Sequence, residues 1–125
     1  MIKVNSKIKI NKQKVKEIEQ ACLKSLEQTA EATKTELIAC AYMPFDTGHM
    51  QNESTFVDNS EIQNGKASIV SSTPYARKVY FNPNGFTIHR THNANAIDHW
   101  FEPFIHGENK DFIPDAFKKF LKKNL

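Results

Sequence analysis

At 125 residues, with 39% hydrophobic and 25% charged residues, the chain is sized for a single domain with one modest core. No apolar run approaches the roughly 18 residues of a membrane span, and no apolar stretch follows the charges of the first residues. Those two features argue against a spanning helix and a secretory signal and point to a protein made, used or assembled in a cytoplasm. The net charge is only +3, but it is uneven: Lys3, Lys7, Lys9, Lys12, Lys14 and Lys16 precede the first acidic residue, Glu17, and Lys118, Lys119, Lys122 and Lys123 crowd the other end. A basic terminus can bind phosphate backbones or form a solvated face. Arg, the residue that most often completes a nucleic-acid arm, occurs only at Arg77 and Arg90.

Residues 1–11 alternate loosely through Ile2, Val4, Ile8 and Ile10, which reads as a basic arm or an edge strand. Asn11 is a good N-cap for a long helix over residues 12–42. Val15, Ile18, Cys22, Leu26, Ala30, Thr33, Leu37 and Ala41 recur every three or four residues and define its expected buried face, which is poor in large side chains. Cys22 and Cys40 would lie roughly 27 Å apart along this helix, too far for a disulfide.

The helix should stop at Pro44, which disfavours helix at the residue before it. The run Pro44, Phe45, Asp46, Thr47, Gly48, His49 and Met50 reads as a structural turn. Asp46 and Thr47 can accept backbone N–H bonds, Gly48 permits a positive φ, and Met50 offers an apolar plug. Residues 54–57 and 67–70 read as strands, with Asn64-Gly65 as the hairpin signal between them.

Thr73-Pro74 reads as an N-cap followed by Pro at the first position of a short helix. Tyr75, Ala76, Val79 and Tyr80 would share one face of it, and Asn82-Pro83-Asn84-Gly85 should end it. Residues 86–90 suggest a third strand, and 91–96 a polar loop. A last helix should open at Pro114, with Ala116, Phe117, Phe120 and Leu121 inward. The whole reads as α+β: a long N-terminal helix packed on a small antiparallel sheet, with short helices after Thr73 and Pro114.

His89 and His92 are followed by Asp98, His99 and His106. A zinc or nuclease centre needs three or four convergent ligands, and the three-residue spacing of His89 and His92 converges only in a helix. The order His92-Asn93 with His99 resembles part of the HNH nuclease pattern, without its cysteine knuckles. Ordinary hydrogen-bonding histidines are the favoured reading, and no metal or other cofactor is expected. There is no nucleophile elbow, Gly-rich phosphate loop or deaminase signature. Trp100, the only Trp, reads as a core anchor ahead of an interface hot spot. Tyr75, Tyr80 and Phe101 carry the same pair of readings.

Taken in order, Pro44 to Met50, Ser54, Tyr75-Ala76, Thr91 to Ala96, His99-Trp100-Phe101-Glu102 and the Pro114 helix resemble a known family. These are the minor capsid proteins of tailed phages and prophages of Gram-positive bacteria, similar in turn to the tail-completion, or head–tail joining, proteins. The likeness covers about residues 12–123. It departs where Tyr75-Ala76 leads to Tyr80-Phe81-Asn82-Pro83 and where Ala94 stands in place of a frequent Pro.

The resemblance implies a non-enzymatic virion subunit at the head–tail connector, joining the portal-side neck to the tail. Its partners would be neck and tail proteins and other copies of itself in a ring. The alternatives are a nucleic-acid-binding module using the basic termini and a metal-dependent nuclease. Polar segments, including residues 3–12 and 92–98, are the expected partner contacts.

Overall fold

The computed structural model describes residues 8–44, 54–88, 90 and 93–125. Helix α1 spans Lys12–Ala39, 28 residues, or about 42 Å of helix. Asn11 caps it as expected: its side-chain oxygen accepts from the N–H groups of Gln13 and Lys14 at 3.1 and 3.2 Å. The helix ends three residues before the expected boundary. Cys40 is the C-cap and Ala41 turns left-handed, at φ 57°. The stop therefore lies at Ala41 rather than at Pro44. Ala41 occupies a conformation usually left to Gly, at a cost of roughly 1–2 kcal/mol.

The buried face of α1 is also different from the expected one. Val15 and Ile18 are 48% and 50% exposed, whereas Ala21, Ser25, Thr29, Thr33 and Leu37 are buried. This row advances four residues at a time, and each step rotates about 40° around the helix. It meets the apolar row at Thr33 and Leu37 and diverges from it toward the N-terminus. Burying three hydroxyls is tolerable because each donates to the carbonyl four residues back: Ser25 to Ala21 at 2.6 Å, Thr29 to Ser25 and Thr33 to Thr29 at 2.7 Å.

Strands β1 (Thr55–Asp58) and β2 (Ser68–Ser71) pair antiparallel, with Thr55 opposite Ser71 and Asp58 opposite Ser68. Each lies one residue later than expected. The connection is not a two-residue turn at Asn64-Gly65. It contains a single 3-10 turn, Ile62–Asn64, closed by Gly65 at φ 77°. A Cβ on Gly65 would meet nothing within 4 Å, so backbone conformation alone calls for glycine there. The hairpin packs on α1, and Asn59 donates to Glu27 of α1 at 3.0 Å.

Helix α2 covers Ala76–Phe81. Thr73 does not cap it through its side chain. Its carbonyl accepts from the Ala76 N–H at 3.0 Å, and the N-cap position falls to Tyr75. Asn82, left-handed at φ 39°, ends the helix where the Asn-Pro-Asn-Gly run suggested. Its side chain also explains why residues 86–88 and 90 form no strand. The Asn82 amide accepts from the Phe86 N–H and donates to the Phe86 carbonyl, both at 2.8 Å. Those backbone groups are thereby withdrawn from any ladder.

Helix α3 is one turn, Glu102–Ile105, with Pro103 in its first turn, where it is tolerated. Helix α4 runs Phe112–Asn124 and begins two residues before Pro114. Its Ala116, Phe117, Phe120 and Leu121 are half-buried, as expected of an inward face.

The fold is α+β, with α1 across the two-stranded sheet, but the most extensive partner of α1 is α4. The two helices run antiparallel. Asn124 at the end of α4 donates to Ser25 and Gln28, while Tyr42 beyond α1 donates to Asn109, just before α4, at 2.7 Å. The core cluster is Leu37, Met43, Ala76, Trp100 and Phe104, flanked by Tyr42, Val79, Tyr80, Phe101 and Phe112. Residues 8–11 are exposed and in no strand, and the rest of the expected arm or edge strand, residues 1–7, lies outside the described residues. No described helix is long and apolar enough to cross a membrane.

Candidate functional site

The most organised feature outside the helices is the exit of α1. A helix leaves its last carbonyls without partners; the segment 93–97 bonds the C-cap carbonyl of α1 and two carbonyls of the chain just beyond it. The side-chain amide of Asn95 donates to the Cys40 carbonyl at 3.0 Å. The Ile97 N–H donates to Tyr42 at 2.9 Å, and the Asn93 amide to Met43 at 2.7 Å. Arg90 secures this strap from outside, its Nε donating to the Ala96 carbonyl at 3.0 Å. Asn93 and Ala96 are buried beneath it. The polar loop expected here is a loop over its described residues 93–96, and it also acts as a fastener.

Beyond the strap the chain turns at His99, φ 47°, whose N–H donates to the Tyr80 carbonyl at 2.9 Å. This turn drives Trp100 into the core, where it is 1% exposed. The Tyr80 ring meets Trp100 edge-on at 4.7 Å and Phe101 at 5.6 Å. Tyr75, by contrast, is 47% exposed and packs with none of these rings. The indole Nε1 of Trp100 finds no acceptor among the described residues. Asp46, Thr47, Gly48 and Met50 of the expected structural turn lie outside the described residues, as do His89 and His92. Pro44 is half-buried, directly after the buried Met43.

Strap, α3 and the residues after it surround an open cleft of about 750 Å³. Tyr42, Arg90, Asp98, His99, Glu102, His106 and Glu108 line it, with Ile97 and Pro103 as apolar surface. Gly107 lets one wall close: a Cβ there would sit 2.8 Å from the Cα of Pro103. His99 and Asp98 pair at 3.1 Å on the surface.

Burial raises the Tyr80 pKa, assisted by the charges of Glu102 and Asp98. Burial likewise raises that of Tyr42, which also feels Cys40, Glu108 and Glu36. Cys40 is raised first by burial and then by Glu36, whose carboxylate lies 3.4 Å from the sulfur. A thiol so placed stays protonated and is a poor nucleophile. Among the described residues no three His, Cys, Asp or Glu side chains are grouped to hold a metal ion. The arrangement positions backbone and presents an apolar surface among carboxylates, one guanidinium and two imidazoles. Compared with family models, curated proteins and solved structures, the chain matches none.

Proposed function

We propose that the chain is a non-enzymatic structural subunit of the tailed-phage head–tail connector, a minor capsid or tail-completion protein joining the portal-side neck to the tail. One observation carries the reading: stretches of sequence that support the resemblance meet around the exit of α1. Met43 packs with Ala76 and Trp100 in the core, and Asn93 and Asn95 tie the helix end. Their observed roles are packing and backbone satisfaction, as suits a rigid joining module. The protein would be assembled in the host cytoplasm and carried in the virion, in contact with neck proteins, tail proteins and further copies in a ring. Gold-labelled antibody against the chain should decorate the head–tail junction of purified particles. Label confined to free protein in the lysate overturns the reading.

A second reading, nucleic-acid contact, draws support from the lysines on the first turns of α1 and those along α4, the helix packed antiparallel against it. The end of α4 is tied to α1 by the Asn124 bonds to Ser25 and Gln28. Without Arg there, the contact would be weak, salt-sensitive and unspecific. The expected result is no stable complex with duplex DNA at physiological salt in a gel-shift titration, and no cleavage of DNA or RNA with added divalent metal. Submicromolar, sequence-selective binding would promote the nucleic-acid reading. Cleavage abolished by His92→Ala or His99→Ala would promote the nuclease.

A further inference from the structure

The first turns of α1 project from the molecule. Residues 11–20 are exposed, and the end of α4 is tied to α1 at Ser25 by Asn124. Just before this overhang Ile8 and Ile10 are 86% and 70% exposed, and on it stand the half-exposed Val15 and Ile18. Lys9, Lys12, Lys14 and Lys16 lie among them, against Glu17 and Glu19, and Lys14 pairs with Glu17 at 3.4 Å. The overhang is therefore apolar with a modest basic excess.

The far end of the molecule has the opposite character. The cleft beside the exit of α1 presents Asp98, Glu102 and Glu108 around Ile97 and Pro103, with Arg90, His99 and His106 also on its walls and Asp98 paired to His99, which leaves three carboxylates against one guanidinium. From Asp98 to Asp115 the chain has five acidic residues (Asp98, Glu102, Glu108, Asp111, Asp115) against one lysine, Lys110. A 28-residue helix separates the two ends, about 42 Å of it, so no molecule can fold its own overhang into its own cleft.

We infer that the overhang of one copy docks into the acidic cleft of a second copy, a head-to-tail pairing of unlike surfaces. The lysines meet the carboxylates, and the isoleucines and valine cover Ile97 and Pro103. The occupant is a second copy rather than nucleic acid, because a phosphate backbone would leave four large apolar side chains uncovered. Such a pairing repeats from copy to copy and closes into a ring if its rotation allows. It rests on the proposed connector role only in supplying the contact that a ring there would use; the surfaces themselves are independent of it.

Sedimentation equilibrium of the full chain tests the pairing. Concentration-dependent association is expected at low salt, with loss at high salt. The combined variant Lys12→Glu, Lys14→Glu, Lys16→Glu should weaken association about tenfold or more, as should Glu102→Lys with Glu108→Lys. Mixing the two variants should restore it. Ile18→Asp, with every lysine intact, should weaken it as well. All these positions but Ile18 are surface charges and Ile18 is half-exposed, so an unchanged circular dichroism spectrum certifies each fold.

A chain that stays monomeric to millimolar concentration overturns the pairing. So does association that ignores the charge variants, mixing that fails to restore it, or duplex DNA that captures the overhang in preference to a second copy. Neck labelling without self-association sinks the pairing and leaves the connector reading. Self-association without neck labelling does the reverse.

Discussion

Trp100 reaches the centre of the core because His99 adopts a left-handed turn immediately before it. Its contribution is area and edge-on packing with Tyr80, since Nε1 makes no hydrogen bond with the described residues. Trp100→Ala should cost about 3–5 kcal/mol in urea unfolding, and Trp100→Phe clearly less, because no buried hydrogen bond is forfeited. Equal losses for the two variants would refute that division. Cys40 offers a chemical test. At mildly alkaline pH its alkylation, followed by peptide-resolved mass spectrometry, should be slower than that of a free cysteine, and Glu36→Gln should speed it. A rate untouched by Glu36→Gln would remove the carboxylate from the explanation.

At this scale the sequence spoke unevenly. Trp100 was legible as a core residue because few positions other than a core accept so large an apolar side chain. Asn93 and Asn95 were not, because the carbonyls they satisfy lie some 50 residues away, at Met43 and Cys40. His99 could not be foreseen at positive φ either, since the demand comes from the Tyr80 carbonyl it must reach.

Among the elements, α1 was legible in existence and nearly in length from its cap and its freedom from Gly and Pro. Its buried face was not, for a specific reason. Hydrophobic periodicity gives weight to Val15 and Ile18 and discounts Ser25 and Thr29, yet hydroxyls that bond within their own helix bury at little cost. Their small size suits the close packing of this buried face. Thr29→Leu, which periodicity alone would call an improvement, should destabilise by roughly 1–3 kcal/mol through overpacking. Thr29→Val should shift the melting midpoint far less, and a stabilising Thr29→Leu would show that the interface has room. The lack of a third strand among the described residues 86–88 and 90 has a comparable origin: Phe86, Thr87 and Ile88 are β-formers by type, and one Asn side chain competes successfully for the backbone of Phe86.

The whole molecule is polarised along α1: a lysine-rich helix start at one end, a strap, a cleft and its carboxylates at the other, with exposed apolar side chains at both. That polarity was half legible. The lysine blocks stand out in the chain, but only the antiparallel pairing of α1 and α4 sets the helices that carry them side by side. The α+β class, the hairpin and the final helix followed from local patterns. The cleft did not, since its lining is drawn from Tyr42, Arg90 and the 94–108 segment and needs the strap to bring them together. A molecule with unlike ends and a tied helix exit suits serial joining of one body to the next.

The most direct measurement is electron microscopy and titre of a phage whose copy of this gene carries an early stop codon. The connector assignment expects filled heads and complete tails that remain separate, with infectivity restored when the chain is supplied in trans. Normal numbers of joined, infectious particles from that mutant would contradict it.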